Sequence, residues 1–138
     1  MRQQFQLPEN DVLFLNGLGL QWETVVDQGM QWLLIHAHPV IEGYNSNIVD
    51  IAIKIETGYP RAALDMAYFF PGLQRADNKA INALSSQMID GKQYQRWSRH
   101  RSSANPWREG IDDISTHLSM IQFWFEQEFI KNPNAITA

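Results

Sequence analysis

Five of the chain's 11 basic side chains, Lys92, Arg96, Arg99, Arg101 and Arg108, fall within 17 residues that contain no Asp or Glu. Two indoles, Trp97 and Trp107, and one imidazole, His100, lie in the same segment. Arginine presents a planar donor fork that matches carboxylate and phosphate oxygens. Indoles anchor loops and serve as binding hot spots. Histidine can act as a nucleophile as well as an acid or base. Like charges crowded together repel unless an anion is met. The segment therefore reads as an anion-binding or nucleotide-binding loop in which Arg96, Trp97, Arg99, Arg101, Trp107 and Arg108 bind. The bland alternative is a loop pinned by its tryptophans with solvated arginines.

Other residues carry weaker chemistry. Asp112, Asp113 and His117 have the spacing of an acid–base group on one helix face, although a helix cap beside a buried histidine is the favoured reading. His36 and His38 stand two apart on a strand, but no third metal ligand is near in sequence, and packing is favoured. Ser85, Ser86, Ser98, Ser102 and Ser103 offer hydroxyls, none within a G-x-S-x-G elbow. The chain has no cysteine. Thiolate catalysis, disulfides and Cys-ligated metal centres are excluded for it, and no cofactor is indicated.

The elements that must hold these residues are legible in part. The 138 residues suit one domain, with a core from about 8 to 130 and a frayed tail over 131–138. A hydrophobic fraction of 44% supplies a core. The net charge of −4 argues against general nucleic-acid binding. No run approaches the roughly 20 apolar residues that span a bilayer, and the N-terminus lacks an apolar signal core, so a cytoplasmic location is expected. "LPENDVLFLNGLG" predicts an opening helix with Pro8 at its start. "WETVVDQGMQWLLIHAHPV" predicts two strands around Asp27-Gln28-Gly29. "NIVDIAIKIE" alternates, with Val49, Ile51, Ile53 and Ile55 facing a core and Ile48, Asp50, Ala52, Lys54 and Glu56 facing out. "LDMAYFF" predicts a fourth strand. Residues 71–110 carry no clear element. A last helix begins at Asp112 or Asp113 and buries Ile114, Leu118, Ile121 and Phe125. The fold class is α+β, with helices to one side of a four-stranded antiparallel meander. Trp107 is expected to be buried and to pin the long loop against the last helix.

The central stretch "EGYNSNIVDIAIKIETGYPRAALDMAYFFP", with its Tyr59-Pro60 turn, resembles the meander of the ubiquitin-conjugating (UBC) fold. "NPWREGIDDISTHLSMI" resembles the segment in which a tryptophan after the UBC active-site loop leads through a turn into a helix. More narrowly, "WSRH", "NPWREGIDD" and "STHL" are similar to a bacterial UBC-like family known as prokaryotic family E, found near genes for ubiquitin-like proteins, an activating enzyme and a JAB-type peptidase.

The resemblance implies a component of a bacterial ubiquitin-like modification system, with the ubiquitin-like protein and its activating enzyme as partners and a JAB-type peptidase as a further one. It also exposes a departure. UBC enzymes carry the acyl group on a cysteine about eight residues before that tryptophan. Here that position is Arg99, beside His100. The family's "HPN" tripeptide is missing, "ADNKA" (Ala76 to Ala80) being its nearest remnant. Had a cysteine been replaced, Ala83, Ser85, Ser86 or Ala104 would be conceivable positions. Three functions follow as expectations: a non-catalytic protein that binds the ubiquitin-like protein or the activating enzyme; acyl transfer through His100; or, in another class, a nucleotide- or RNA-binding module using the Arg/Trp loop. In the first two, Arg96, Arg99, His100 and Arg101 would line a shallow groove for the ubiquitin-like tail.

Overall fold

A computed structural model describes residues 1–133; residues 134–138, most of the tail expected to fray, lie outside the described residues. Helix α1 (Glu9–Gly17) precedes four consecutive antiparallel strands, β1 (Trp22–Asp27), β2 (Met30–Pro39), β3 (Ile48–Ile55) and β4 (Ala67–Phe70). Two more strands follow, β5 (Leu84–Ile89) and β6 (Lys92–Trp97), and helix α2 (Ile114–Lys131) ends the fold. The sheet order is β1-β2-β3-β4-β6-β5. The α+β class and the helix–meander–helix order agree with the UBC-like expectation.

The four-stranded meander is present as β1 to β4, and a hairpin of β5 and β6 extends the sheet to six strands. The segment from 71 to 110 is not one long loop, because a hairpin occupies its middle. The chain passes β4, makes the outermost strand first, and inserts β6 beside β4 on the way back. β5 hides itself in sequence because "LSSQMI" is polar and mostly exposed. The signal for the hairpin is the Asp90-Gly91 pair, whose φ angles of 52° and 76° are those of a type I′ turn. Gln28 and Gly29 form the matching turn between β1 and β2, also with φ of 52° and 76°.

One sheet face carries the main core. Leu33, Ile35, Ile51, Ile53, Phe69 and Trp97 pack there against Leu15 of α1 and against Ile114, Leu118, Ile121 and Phe125 of α2. The other face was expected to be polar at Ala52 and Asp50. Instead the sheet curls, and Ala52 joins Val25, Trp32, Leu34, Tyr68, Ile89 and Tyr94 in a second buried cluster. Polar contacts close the curl. Asp90 at the β5–β6 turn donates its amide to Asp27 and receives the Arg2 guanidinium at 2.6 and 2.8 Å, while Arg2 also reaches Glu23. Hydrogen bonding to Arg2 holds the Glu23 carboxyl down at about 2 despite its burial. His36 belongs to this network, with Nε2 2.7 Å from Glu23 and Nδ1 3.4 Å from Asp50. A bulge at Ala37 (φ 54°) separates it from His38, whose Nδ1 instead faces the Pro39 carbonyl.

Two braces tie α2 to the rest. Asp113 caps the helix in a reciprocal capping box with Thr116. Just beyond it, the Tyr59 hydroxyl donates to buried Asp11 at 2.8 Å and accepts from the Ile114 amide at 3.0 Å. One phenol thus joins α1, the Tyr59-Pro60 turn and the start of α2. The second brace is His117. Its Nε2 lies 2.8 Å from the Met66 carbonyl, and the Met66 amide donates to the Arg99 carbonyl at 3.1 Å. Met66 sits at φ 58°, so its conformation needs such fixing.

Tyr59→Phe should lower unfolding stability by about 1–3 kcal/mol, since it leaves buried polar groups short of a partner; denaturant titration at neutral pH measures it. Burial depresses the His117 imidazole from 6.5 to about 4, although the Met66 carbonyl acts to raise it. The folded state then binds fewer protons than the unfolded chain between those values. Stability from this group is complete above pH 6.5 and is lost as pH falls toward 4, at a slope approaching about 1.4 kcal/mol per pH unit. Denaturant midpoints at several pH values should show a smaller difference between wild type and His117→Gln at pH 4 than at pH 7.

Candidate active site

The segment after β6 starts from a fixed point. Trp97 is fully buried, edge-on to Phe69 at 5.2 Å and to Phe125 at 5.7 Å, with its Nε1 donating to Gln95. Residues 98–107 leave this anchor and run beside α2. Asn105 meets the Met120 sulfur at 3.4 Å at one end, and Arg99 meets Glu128 at 3.6 Å at the other. Segment and helix enclose a groove of about 760 Å³, lined by Ser98, Arg99 and His100 on one wall and by Met120, Phe123, Trp124 and Lys131 on the other. A second hollow of about 600 Å³ lies across the segment, lined by Leu64, Asp65, Arg101, Pro106 and Trp107. His100 borders both.

The expected binding residues divide among different places. Arg99 and His100 line the main groove, and Arg101 and Trp107 line the other hollow. Arg96 lines neither. It alternates with Trp97 along β6, points to the opposite sheet face and donates to Ser85 at 2.9 Å. Arg108 is mostly exposed and lies 3.5 Å from Asp112.

The crowded charge is met from within the molecule. Arg99 faces Glu128, donates to the Asn82 carbonyl at 3.0 Å and stacks over Trp97 at 5.0 Å. Glu128 is shared with Arg75, a buried residue that also pairs with Asp77 at 2.7 Å. Arg101 faces buried Asp112 at 3.5 Å and lies over the Trp107 ring at 5.1 Å. Burial acts to raise the Asp112 carboxyl, but the Arg108 amide, the Thr116 hydroxyl and Arg101 outweigh it and hold the group below its ordinary value. Asp112 and Asp113 are therefore anchor and cap, and His117 is a buried brace. Trp107 is half-buried, not largely buried, and its Nε1 donates to the Pro60 carbonyl at 3.0 Å. It pins the loop to the Tyr59-Pro60 turn rather than to α2, because that turn supplies the free carbonyl and the Tyr59 ring at 6.3 Å.

His100 has a partner that lies 35 positions away. Its Nδ1 stands 2.9 Å from both carboxylate oxygens of Asp65. Its Nε2 stands 3.5 Å from the Ser98 hydroxyl. With Nδ1–H donated to Asp65, Nε2 keeps its lone pair toward Ser98. The order carboxylate, imidazole, hydroxyl is that of an activated oxygen nucleophile, and looser contacts are usual before a substrate closes the site. Nothing local in sequence marks Asp65. The β4–β6 register does: Ala67 pairs with Trp97, so residues just before β4 lie beside those just after β6. Of the other serines, Ser85 faces away with Arg96 and Ser86 is exposed on β5. Among the described residues no group of three or more His, Asp or Glu could hold a metal ion, and no helix is long and apolar enough to cross a membrane.

The family model for prokaryotic E2 family E matches residues 7–128, which spans α1, the sheet and α2 as far as Glu128. No curated protein and no solved structure matches the chain. With most of its length matched, the chain belongs to prokaryotic E2 family E, as an E2-like component of a prokaryotic ubiquitin-like conjugation system whose general partners are a ubiquitin-like protein and its activating enzyme.

Proposed function

We propose that the chain receives the activated C-terminal tail of a ubiquitin-like protein in the groove between residues 98–105 and α2, and holds its acyl group as an ester on Ser98. One observation carries this reading: the Asp65–His100–Ser98 alignment, with contacts of 2.9 and 3.5 Å, at the edge of that groove. His100 takes the Ser98 proton as the oxygen attacks the acyl carbon. It then returns that proton to the departing group, while Asp65 stabilises the intervening imidazolium. Phe123, Trp124 and Met120 offer the tail an apolar wall. Arg99 orders the opposite wall through Glu128 rather than presenting a free cation to the tail carboxylate. A nucleic-acid role finds less support, since Arg99 and Arg101 already face Glu128 and Asp112.

Incubation with a ubiquitin-like protein and activating enzyme from the native host, with ATP, should give, at the earliest times, an adduct that intact mass spectrometry detects and hydroxylamine cleaves. Ser98→Ala should abolish the adduct while tail binding survives. His100→Ala should slow loading by about 10²–10⁴-fold, the usual contribution of a positioned general base, and Asp65→Asn should slow it less. Loading that survives Ser98→Ala but not His100→Ala would assign the acyl group to the imidazole. Binding without any adduct in the wild-type chain would leave a non-catalytic adaptor.

A further inference from the structure

Four lysines occur in the chain, and three are engaged away from the groove. Lys54 lies 3.7 Å from Glu56, Lys79 donates to the Pro133 carbonyl at 2.9 Å, and Lys92 sits over the Phe70 ring at 5.2 Å. Lys131 differs in both respects. It is exposed and has no hydrogen-bond or ion-pair partner among the described residues, and it lines the same groove as Ser98 and His100. Direction adds a third point. The 98–105 segment runs antiparallel to α2, since Asn105 meets Met120 while Arg99 meets Glu128. Ser98 therefore lies toward the last turn of the helix. Lys131 is in that turn, three residues beyond Glu128, about 4.5 Å further along the axis. Its flexible four-carbon stem can search the groove from there.

We propose that Lys131 is an acceptor in cis: the acyl group held on Ser98 passes to the Lys131 amine and leaves the chain modified on its own last helix. The inference rests on the ester reading above. In the step, the ammonium first releases a proton to solvent. The neutral amine attacks the ester carbonyl carbon, a C–N bond forms and the C–O bond to Ser98 breaks. His100 relays the second amine proton to the departing serine oxygen. The products are an amide and a free hydroxyl, with no co-reactant required. Modification would fill the groove and close it to a further tail.

A small donor tests this without any protein partner. The full chain is incubated with the 2-mercaptoethanesulfonate thioester of N-acetylglycylglycine, and acylated positions are mapped by peptide mass spectrometry with and without hydroxylamine. The expected product is a hydroxylamine-stable amide on Lys131, favoured by more than about tenfold over the other three lysines, as proximity to the loaded serine predicts. Its formation should be first-order from the ester and independent of protein concentration. Lys131→Arg should accumulate the labile Ser98 ester, and Ser98→Ala should yield neither product. An amide on Lys131 in Ser98→Ala at the wild-type rate would overturn the inference, because the donor would then be reaching the lysine directly. A Ser98 ester that persists in wild type with no Lys131 amide would also overturn it, and would leave the ester reading intact. Absence of a Ser98 ester from Lys131→Arg, together with absence of the amide from wild type, would overturn both.

Discussion

The pairing of β4 with β6 is the constraint on which the remaining arrangement depends. Trp97 ends β6 opposite Ala67, and both are fully buried. Burying an indole of this size against Phe69, Tyr44 and Phe125 fixes the register, since a slip of one residue would turn Trp97 to the opposite face and bring Arg96 into the core. From that register the site follows. Asp65, before β4, and His100, after β6, are carried to the same end of this strand pair. The brace from His117 through Met66 to the Arg99 backbone then holds the two approaching chains at a defined separation. The sheet supplies the proximity and the helix supplies the alignment.

Charge is arranged in two tiers with different physical consequences. Arg75, Asp77 and Glu128 are buried together, so loss of Arg75 removes the cation that faces both acids in a poorly solvated place. Arg101 with Asp112 is similar. These pairs specify how the segment and α2 dock. His100 and Asp65 are both more than a third exposed, and water screens them. Their attraction adds little to folding, so a substitution in the pair should leave the frame around it undisturbed.

Much of the frame was legible in the sequence, and the reasons are local. The alternation of Val49 to Ile55, the Gln28-Gly29 turn and the apolar stripe from Ile114 to Phe125 are each written within one element. The β5–β6 hairpin escaped because Ser85, Ser86 and Gln87 show no apolar alternation, and Asp90-Gly91 was its one clear mark. The curl that buries Ala52 is a property of the whole sheet and has no local sign. The site was half legible. His100 stood out from its neighbours, whereas Asp65 and Glu128 become its surroundings only through strand register and helix docking. Crowding of arginines suggested an external anion, because the acids that answer them, Asp112 and Glu128, come from beyond the basic run or far from it in sequence.

The lack of cysteine has a consequence for oxidation. A thiolate that carries an acyl group is also open to peroxide, through sulfenic acid to states that cannot be reversed, and to mixed disulfides with small thiols. A hydroxyl at the groove edge has no such chemistry. An oxidisable atom does stand in the groove wall, the Met120 sulfur, which accepts from Asn105. Its conversion to the sulfoxide would make that wall more polar and loosen the segment's hold on α2, and methionine sulfoxide reductases can reverse the lesion. Oxidative stress would thus act on the shape of this groove and leave the Ser98 hydroxyl unchanged.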